Sequence, residues 1–283
     1  MSLNSTMRWR CGSREWTIGP RPLVMGILNV TPDSFSDGGR FLDPEAAVRH
    51  GLAMAADGAD LVDVGGESTR PGARPVSPEE EQARVVPVVQ RLAAAGIAVS
   101  IDTRHAETAR AAVEAGASVI NDVSGFIEPA MVAVARSSGV GLIVMHMRGK
   151  PATMQSLAVY TDVVEETAIW LEQRLEELTA AGIDRGRIAL DPGLGFAKTA
   201  DHNIAIFNRL ERLTRIGRPL VIGASRKSFL GTLTGRPVGE RLAASLAAAC
   251  AAAAKGAHLL RVHDVRETVD ALRVWSALMG MSP

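Results

Sequence analysis

The sequence is poor in cysteine, in net charge and in long apolar runs, and each shortage closes off a class of protein. Only two cysteines occur among 283 residues, Cys11 and Cys250, far apart and without C-x-x-C spacing. That argues against a disulfide framework or a zinc site and fits a reducing cytoplasm, where the chain is expected to reside. Lysine plus arginine equals aspartate plus glutamate at 31 each, so the formal net charge is zero. A general nucleic-acid surface is therefore not expected, and any anionic ligand must be held by a local cluster. The most apolar stretch, LAASLAAACAAAAKGAHLL, is mostly alanine and is broken by Lys255 and Gly256. It is too short and too weakly hydrophobic to span a bilayer and reads as a close-packed helix, so no membrane association is expected. The first twenty residues carry Arg8, Arg10, Arg14 and Glu15 and lack a secretory apolar core.

What the chain does have is repetition. Short runs rich in Val, Ile and Leu recur as PLVMGILN, ADLVDVGG, IAVSID, ASVIND, GLIVMH, RIALDPG, PLVIGAS and HLLRVH. They do not alternate polar with apolar, so they suit parallel strands covered on both faces. Helical patterns lie between them. SPEEEQARVVPVVQRLAAAG opens on a Ser-Pro start, puts Glu79 to Glu81 at the positive end of the helix dipole, and stops at Gly96. DPEAAVRHGLAMAADG and HNIAIFNRLERL read as helices in the same way. Eight such β-then-α units in about 260 residues predict an α/β fold, a single closed (β/α)₈ TIM barrel. The competing doubly wound sheet usually carries a glycine-rich dinucleotide turn after its first strand, and none is present. The predicted organisation is a short N-terminal extension over residues 1–22, with no role assigned, and one barrel domain over 23–283.

A barrel places its active site at the C-terminal ends of its strands. Read there, the runs give Asn29, then Asp63 with Glu67, Thr69 and Arg70, then Asp102, Asn121 with Asp122, His146, Asp191, Ser225 with Arg226 and Lys227, and Arg261 with His263. Lys227, Arg261 and His263 belong to the last two strands, where barrels frequently place a phosphate site, and Arg70 can reach the same anion from across the mouth. Asp102, Asn121 and Asp191 offer acceptors and an amide suited to the edge of a flat heterocycle. DPGLGFAK adds a tight glycine turn, with Phe196 to pack on a ring. Together the two halves describe a heterocycle joined to a leaving diphosphate. His50, His105, His202 and His258 fall in helices or at strand starts and read as surface or structural. His146 reads equally as pocket lining or as support behind it.

These residues resemble the dihydropteroate synthase family, through MGILNVTPDSFSDGG, GADLVDVGGESTRPGA, SIDT, INDVSG, MHMRGKPATMQ, LDPGLGFAK, GASRKSFLG and RVHDV. The motifs run from about residue 23 to 279. The resemblance implies the joining of 4-aminobenzoate to 6-hydroxymethyl-7,8-dihydropterin diphosphate, with release of pyrophosphate and formation of 7,8-dihydropteroate. By carry-over, Asp102, Asn121, Asp191 and Lys227 hold the pterin. Asn29, Thr69, Arg70, Arg261 and His263 hold the diphosphate, with Asn29 also meeting Mg²⁺. Phe35, Thr69, Arg70, Pro71, Phe196, Lys227 and Ser228 surround the 4-aminobenzoate. The alternative is a pterin-binding methyltransferase acting on a reduced folate and a corrinoid protein, which has no need of a diphosphate cluster.

The implied route is ionisation first, because an aromatic amine is a weak nucleophile and the pterin ring delocalises a cation. Asp102, Lys227, Arg261, His263 and Asp33 are the expected catalytic set, Asp33 through Mg²⁺ or its waters. VTPDSFSDGGRF after Asn29 is expected to close over the substrates with GESTRPGARP and exclude water, and both are expected to be mobile without ligands. Sulfonamides, which imitate 4-aminobenzoate, are expected inhibitors. The alanine and methionine positions of the last two helices read as core with a face for a second copy, so a homodimer is expected.

Overall fold

The computed structural model describes residues 6–31, 44–67, 76–149 and 153–280. A two-stranded antiparallel hairpin, β1 (Met7–Cys11) and β2 (Arg14–Ile18), comes first. The barrel strands follow: β3 (Leu23–Asn29), β4 (Leu61–Gly65), β5 (Val99–Asp102), β6 (Val119–Asp122), β7 (Gly141–Met145), β8 (Ile188–Asp191), β9 (Val221–Ile222) and β10 (Leu259–Val262). Their order in the sheet is β8-β7-β6-β5-β4-β3-β10-β9, every named pair parallel. A parallel bridge from Leu190 to Leu220, the residue before β9, joins the two ends and closes the ring. The (β/α)₈ expectation holds.

Ten α-helices among the described residues surround the strands: α1 (Pro44–Ala56), α2 (Pro78–Ala94), α3 (Ala106–Glu114), α4 (Pro129–Ser138), α5 (Val163–Ala180), α6 (Ala200–Asn208), α7 (Leu210–Thr214), α8 (Ser228–Thr234), α9 (Leu242–Ala254) and α10 (Val265–Leu278). The predicted start of α2 is there: Ser77 Oγ accepts from the Glu80 amide at 3.2 Å, with Pro78 at the first helical position. Where the pattern suggested one helix over 202–213, the chain breaks at Arg209. Its backbone leaves the helical region, and its guanidinium is tied to Asp162 and Glu165 at the start of α5. Tertiary ion pairing overrides the local pattern there. Among the described residues no helix is long and apolar enough to cross a membrane.

Residues 7–18, which the sequence left without a role, seal the N-terminal end of the barrel. Trp9, Cys11 and Ile18 form one buried cluster with Leu23, Met25, Leu61, Ala98, Val119, Ile143, Ala189, Val221 and Leu259, so all eight barrel strands or their first approaches contribute. Trp9 is fully buried and donates its indole N–H to the Arg187 carbonyl at 2.8 Å. Gly141 is required beneath the plug, because a Cβ there would lie 2.2 Å from Cys11 Sγ.

Candidate active site

The inward faces of the strands carry the site. On alternate strands β4, β6, β8 and β10, the residue two positions beyond the plug residue is Asp63, Asn121, Asp191 and Arg261. Side chains two apart on a strand share a face, and a barrel interior is layered with four side chains from alternate strands. The layer above the apolar plug is thus acid, amide, acid and guanidinium. Asp102 and Asn29, at the ends of β5 and β3, reach the rim beside it.

Hydrogen bonds join these groups. Asp63 Oδ2 accepts from Asn121 Nδ2 at 3.1 Å and from Arg261 Nε at 2.6 Å. Arg261 Nη2 donates to Asp102 Oδ2 at 2.6 Å. Burial would lower the Arg261 pKa, but Asp63 and Asp102 outweigh it and hold the group above its ordinary value. Burial, with Asp63, Glu81 and Asp122 nearby, pushes Asp102 up to about 7 against the pull of Arg261. Asp191 is also raised by burial, opposed first by Lys227. Burial brings Lys227 down to about 8, with Asp191 opposing. Asp102 and Lys227 therefore both titrate close to neutrality.

The DPGLGFAK turn is fixed from several sides. The Gly193 amide donates to Asp191 Oδ1 at 2.7 Å, and a Cβ on Gly193 would sit 2.0 Å from the His146 carbonyl oxygen, so only glycine fits at its φ of +66°. Lys227 Nζ donates to the Leu194 carbonyl and lies 4.8 Å from the centre of the Phe196 ring. Asn203 accepts from the Gly195 amide at 2.8 Å. Lys198, only 3% exposed, places Nζ 2.9 Å from His146 Nδ1 and 3.2 Å from the Phe196 carbonyl. Burial, then Lys198 and Arg148, push His146 down to about 2, so its ring is neutral and accepts from the amine. The His146 ring also meets Trp170 edge to face, with centroids 5.1 Å apart.

Not every polar strand end turns inward. Asp122 accepts from the Ser124 and Phe126 amides, each at 2.7 Å, so its carboxylate shapes the following turn while Asn121 faces the interior. Arg226 is held outward by Asp264. His263 Nδ1 lies 3.0 Å from Ser225 Oγ, and with Asn29 it lines the inner end of a cleft of about 670 Å³ between α1 and α10. Asp102, Asn121 and Asp191 do not line that cleft. Ser228 is the exposed first residue of α8. Asp33, Phe35, Thr69, Arg70 and Pro71 lie outside the described residues, as do all but the first two residues of each of the two loops expected to close. Glu67, at the edge of the second loop, forms a two-pronged pair with Arg104, both contacts 2.9 Å.

The model of the pterin binding enzymes matches residues 25–263 of the chain. Dihydropteroate synthase of Mycobacterium leprae is 50% identical over 268 residues, covering 92% of this chain and 94% of that one. The chain belongs to the dihydropteroate synthase family. It is accordingly a transferase, and the methyltransferase alternative is not favoured. The dihydropteroate synthase of Xanthomonas albilineans solved with 4-aminobenzoic acid superposes with a TM-score of 0.92 at 47% identity, covering 98% of this chain and all of that one. A second structure of that enzyme, solved with 7,8-dihydropteroate, gives 0.88 at 45% identity over 97% of this chain and 100% of that one.

Two groups escaped sequence reasoning. Asp63 was visible as a strand end but received no role, and Lys198 was read only as part of a motif. The signal for Asp63 was present: it stands two residues beyond Leu61, as Asn121 stands beyond Val119 and Asp191 beyond Ala189.

Proposed function

We propose that the chain condenses 6-hydroxymethyl-7,8-dihydropterin diphosphate with 4-aminobenzoate to give 7,8-dihydropteroate and pyrophosphate, and that the polar layer of the barrel and its rim divide the labour. The observation that carries this reading is the joined set Asn121–Asp63–Arg261–Asp102 beside Asp191 and Lys227. It sets ring-edge acceptors next to a cation for a departing anion. Asp102, Asn121, Asp191 and Lys227 hold the pterin. Arg261, His263 and Asn29, with Thr69 and Arg70, hold the diphosphate. Phe196, Lys227 and Ser228, with Phe35, Thr69, Arg70 and Pro71, surround the 4-aminobenzoate, where a sulfonamide competes.

Ionisation of the methylene–oxygen bond leaves positive charge on the ring and negative charge on the diphosphate. Asp102 and Asp191 lie on the cationic side and Arg261 and His263 on the anionic side, so fixed charges favour the separated state over the ground state. No strong base is needed, because the amine loses its proton after it is captured. Among the described residues no group of three His, Cys, Asp or Glu is placed to hold a metal ion. The half-buried Asn29 amide is a suitable single protein ligand for Mg²⁺, which is ordinarily completed by substrate phosphates and water, and Asp33 is its expected outer partner. When bound, the ion supplies charge neutralisation at the diphosphate.

Leu242, Val274, Leu278 and Met279 are exposed on α9, α10 and the residue after it, which supports a homodimer formed through that side. The protein is read as cytoplasmic. The deciding experiment incubates purified protein with both substrates, with and without Mg²⁺, and follows dihydropteroate and pyrophosphate together. Equal amounts of both products are expected, dependent on Mg²⁺. Pterin diphosphate binding without product would sink the reading.

A further inference from the structure

The role of Arg261 raises a conflict that a static ion pair does not resolve. Its Nη2 edge is bonded to Asp102. The proposed function, on which this inference rests, needs Asp102 for the pterin ring and Arg261 for the diphosphate. A diphosphate approaching the Nη edge of Arg261 therefore competes with Asp102 for it. A guanidinium has separate edges, however, and the Nε edge of Arg261 is held elsewhere, 2.6 Å from Asp63 Oδ2.

We propose that Asp63 is a positioning residue for this reaction, a fixed pivot that keeps the Nε edge of Arg261 in place while its Nη2 edge exchanges Asp102 for the substrate's diphosphate. Asp63 is 0% exposed, so it does not itself touch substrate. It stands in β4 among the fully buried Leu61, Val62 and Val64, where an apolar residue would be the cheap choice. A buried ion pair rarely stabilises a fold more than apolar packing does, so stability does not explain a carboxylate here, whereas orientation does. The same Oδ2 atom accepts from Asn121 Nδ2 at 3.1 Å. One oxygen thus sets the orientation of a ring-reading amide and of the anion-reading guanidinium, and couples the two halves of the site. Its Oδ1 atom is buried without a partner among the described residues, so the carboxylate's hydrogen bonding is concentrated on that one oxygen.

The test is a double-mutant cycle on kcat/KM for the pterin diphosphate, with calorimetric binding of inorganic pyrophosphate in Mg²⁺. Asp63→Asn is expected to lower kcat/KM by roughly 30-fold and to weaken pyrophosphate binding in proportion, while KM for 4-aminobenzoate stays within about twofold. In an Arg261→Ala background the same substitution is expected to cause no further loss beyond about threefold, because there is no guanidinium left to hold. A merely structural aspartate would lower activity equally in both backgrounds, and that result would overturn the pivot. So would unchanged pyrophosphate affinity in Asp63→Asn. Should that variant fail to fold, Asp63→Glu, which keeps the charge but moves the carboxylate by one methylene, carries the same cycle with an expected loss of about tenfold. Wild-type protein that makes no dihydropteroate overturns the parent reading, whereas a competent wild type with an additive cycle overturns the pivot alone.

Discussion

The two ends of the barrel use the same strands and opposite chemistry. At the N-terminal end, Leu61, Val119, Ala189 and Leu259 close on Trp9, Cys11 and Ile18 from the hairpin, and the cluster is almost wholly apolar. Two residues further along the same four strands stand Asp63, Asn121, Asp191 and Arg261. One step of the strand period, about 7 Å of rise, separates a layer that stabilises from a layer that recognises. Charges are tolerated in the upper layer because they are mutually bonded, and the desolvation they suffer is offset by burial below. The comparison teaches that removing a group from either layer should move one property and spare the other.

The largest expected effect breaks the upper layer. Asp191→Asn takes the charge from the proposed pterin acceptor that faces Lys227, and kcat/KM for the pterin diphosphate should fall about a thousandfold. The melting temperature should change little, since the amide oxygen can still accept from the Gly193 amide and burial already disfavours the carboxylate's charge. Calorimetry beside steady-state kinetics checks both halves. Breaking the lower layer should do the reverse. Trp9→Ala opens a cavity beneath the strands and orphans the Arg187 carbonyl, at a cost of about 3 to 5 kcal/mol of stability. At a temperature where the variant is folded, its kcat and both KM values should stay within about twofold of the parent. A large KM change would mean that the plug sets the geometry of the site and that the two layers are not separable.

Much of this division was legible in the sequence. Parallel strands buried on both faces read as continuous apolar runs, and their polar last residues mark the rim, which is why the sequence alone points to Asn29, Asp102, Asn121 and Asp191. The apolar period says less about direction. Asp122 follows the inward-facing Asn121 on β6 and turns outward, because neighbours on a strand point to opposite sides, whereas Arg226 lies in the turn after β9 at a φ of +58° and is taken by Asp264. The hairpin was illegible for a different reason. MRWRC alternates polar with apolar over five residues and REWTI only over its last four, too short to stand alone, and what they cover is assembled only when eight distant segments meet.

The pH profile sharpens the comparison further. Asp102 must be ionised to accept from the ring, so kcat/KM should fall below about pH 7. Lys227 must be protonated, so it should fall above about pH 8. A narrow bell is expected, and Lys227→Arg should extend its alkaline side. The same groups act oppositely on stability. Asp102 is raised, so its contribution is present below the ordinary carboxylate range and is lost as pH rises through about 7. Lys227 is depressed, so its contribution is present above the ordinary lysine range and is lost as pH falls through about 8. These two groups therefore stabilise least between pH 7 and 8, where turnover is greatest. Asp102→Asn should raise the melting temperature there while abolishing the acid limb, and a lower melting temperature would refute the assignment of cost to the upper layer.

The smallest effect is expected at Lys198, in the turn after β8. Its amine is buried, faces a neutral His146 and the Phe196 carbonyl, and is brought down to about 7 by burial against the pull of Asp191. Lys198→Met keeps the length and the packing of the stem but removes the donor that tethers the Phe196 carbonyl. Because the Lys198 pKa is depressed, the native protein bears the strain of charging it as pH falls through about 7, and methionine removes that strain. The variant should thus gain stability, most clearly below pH 7, and lose kcat/KM by roughly fivefold, through a higher KM and an unchanged kcat. A fall in kcat with KM intact would instead place Lys198 among the groups that meet the transition state, and Lys198→Arg, which restores the donor, should recover KM only if the tether is what matters.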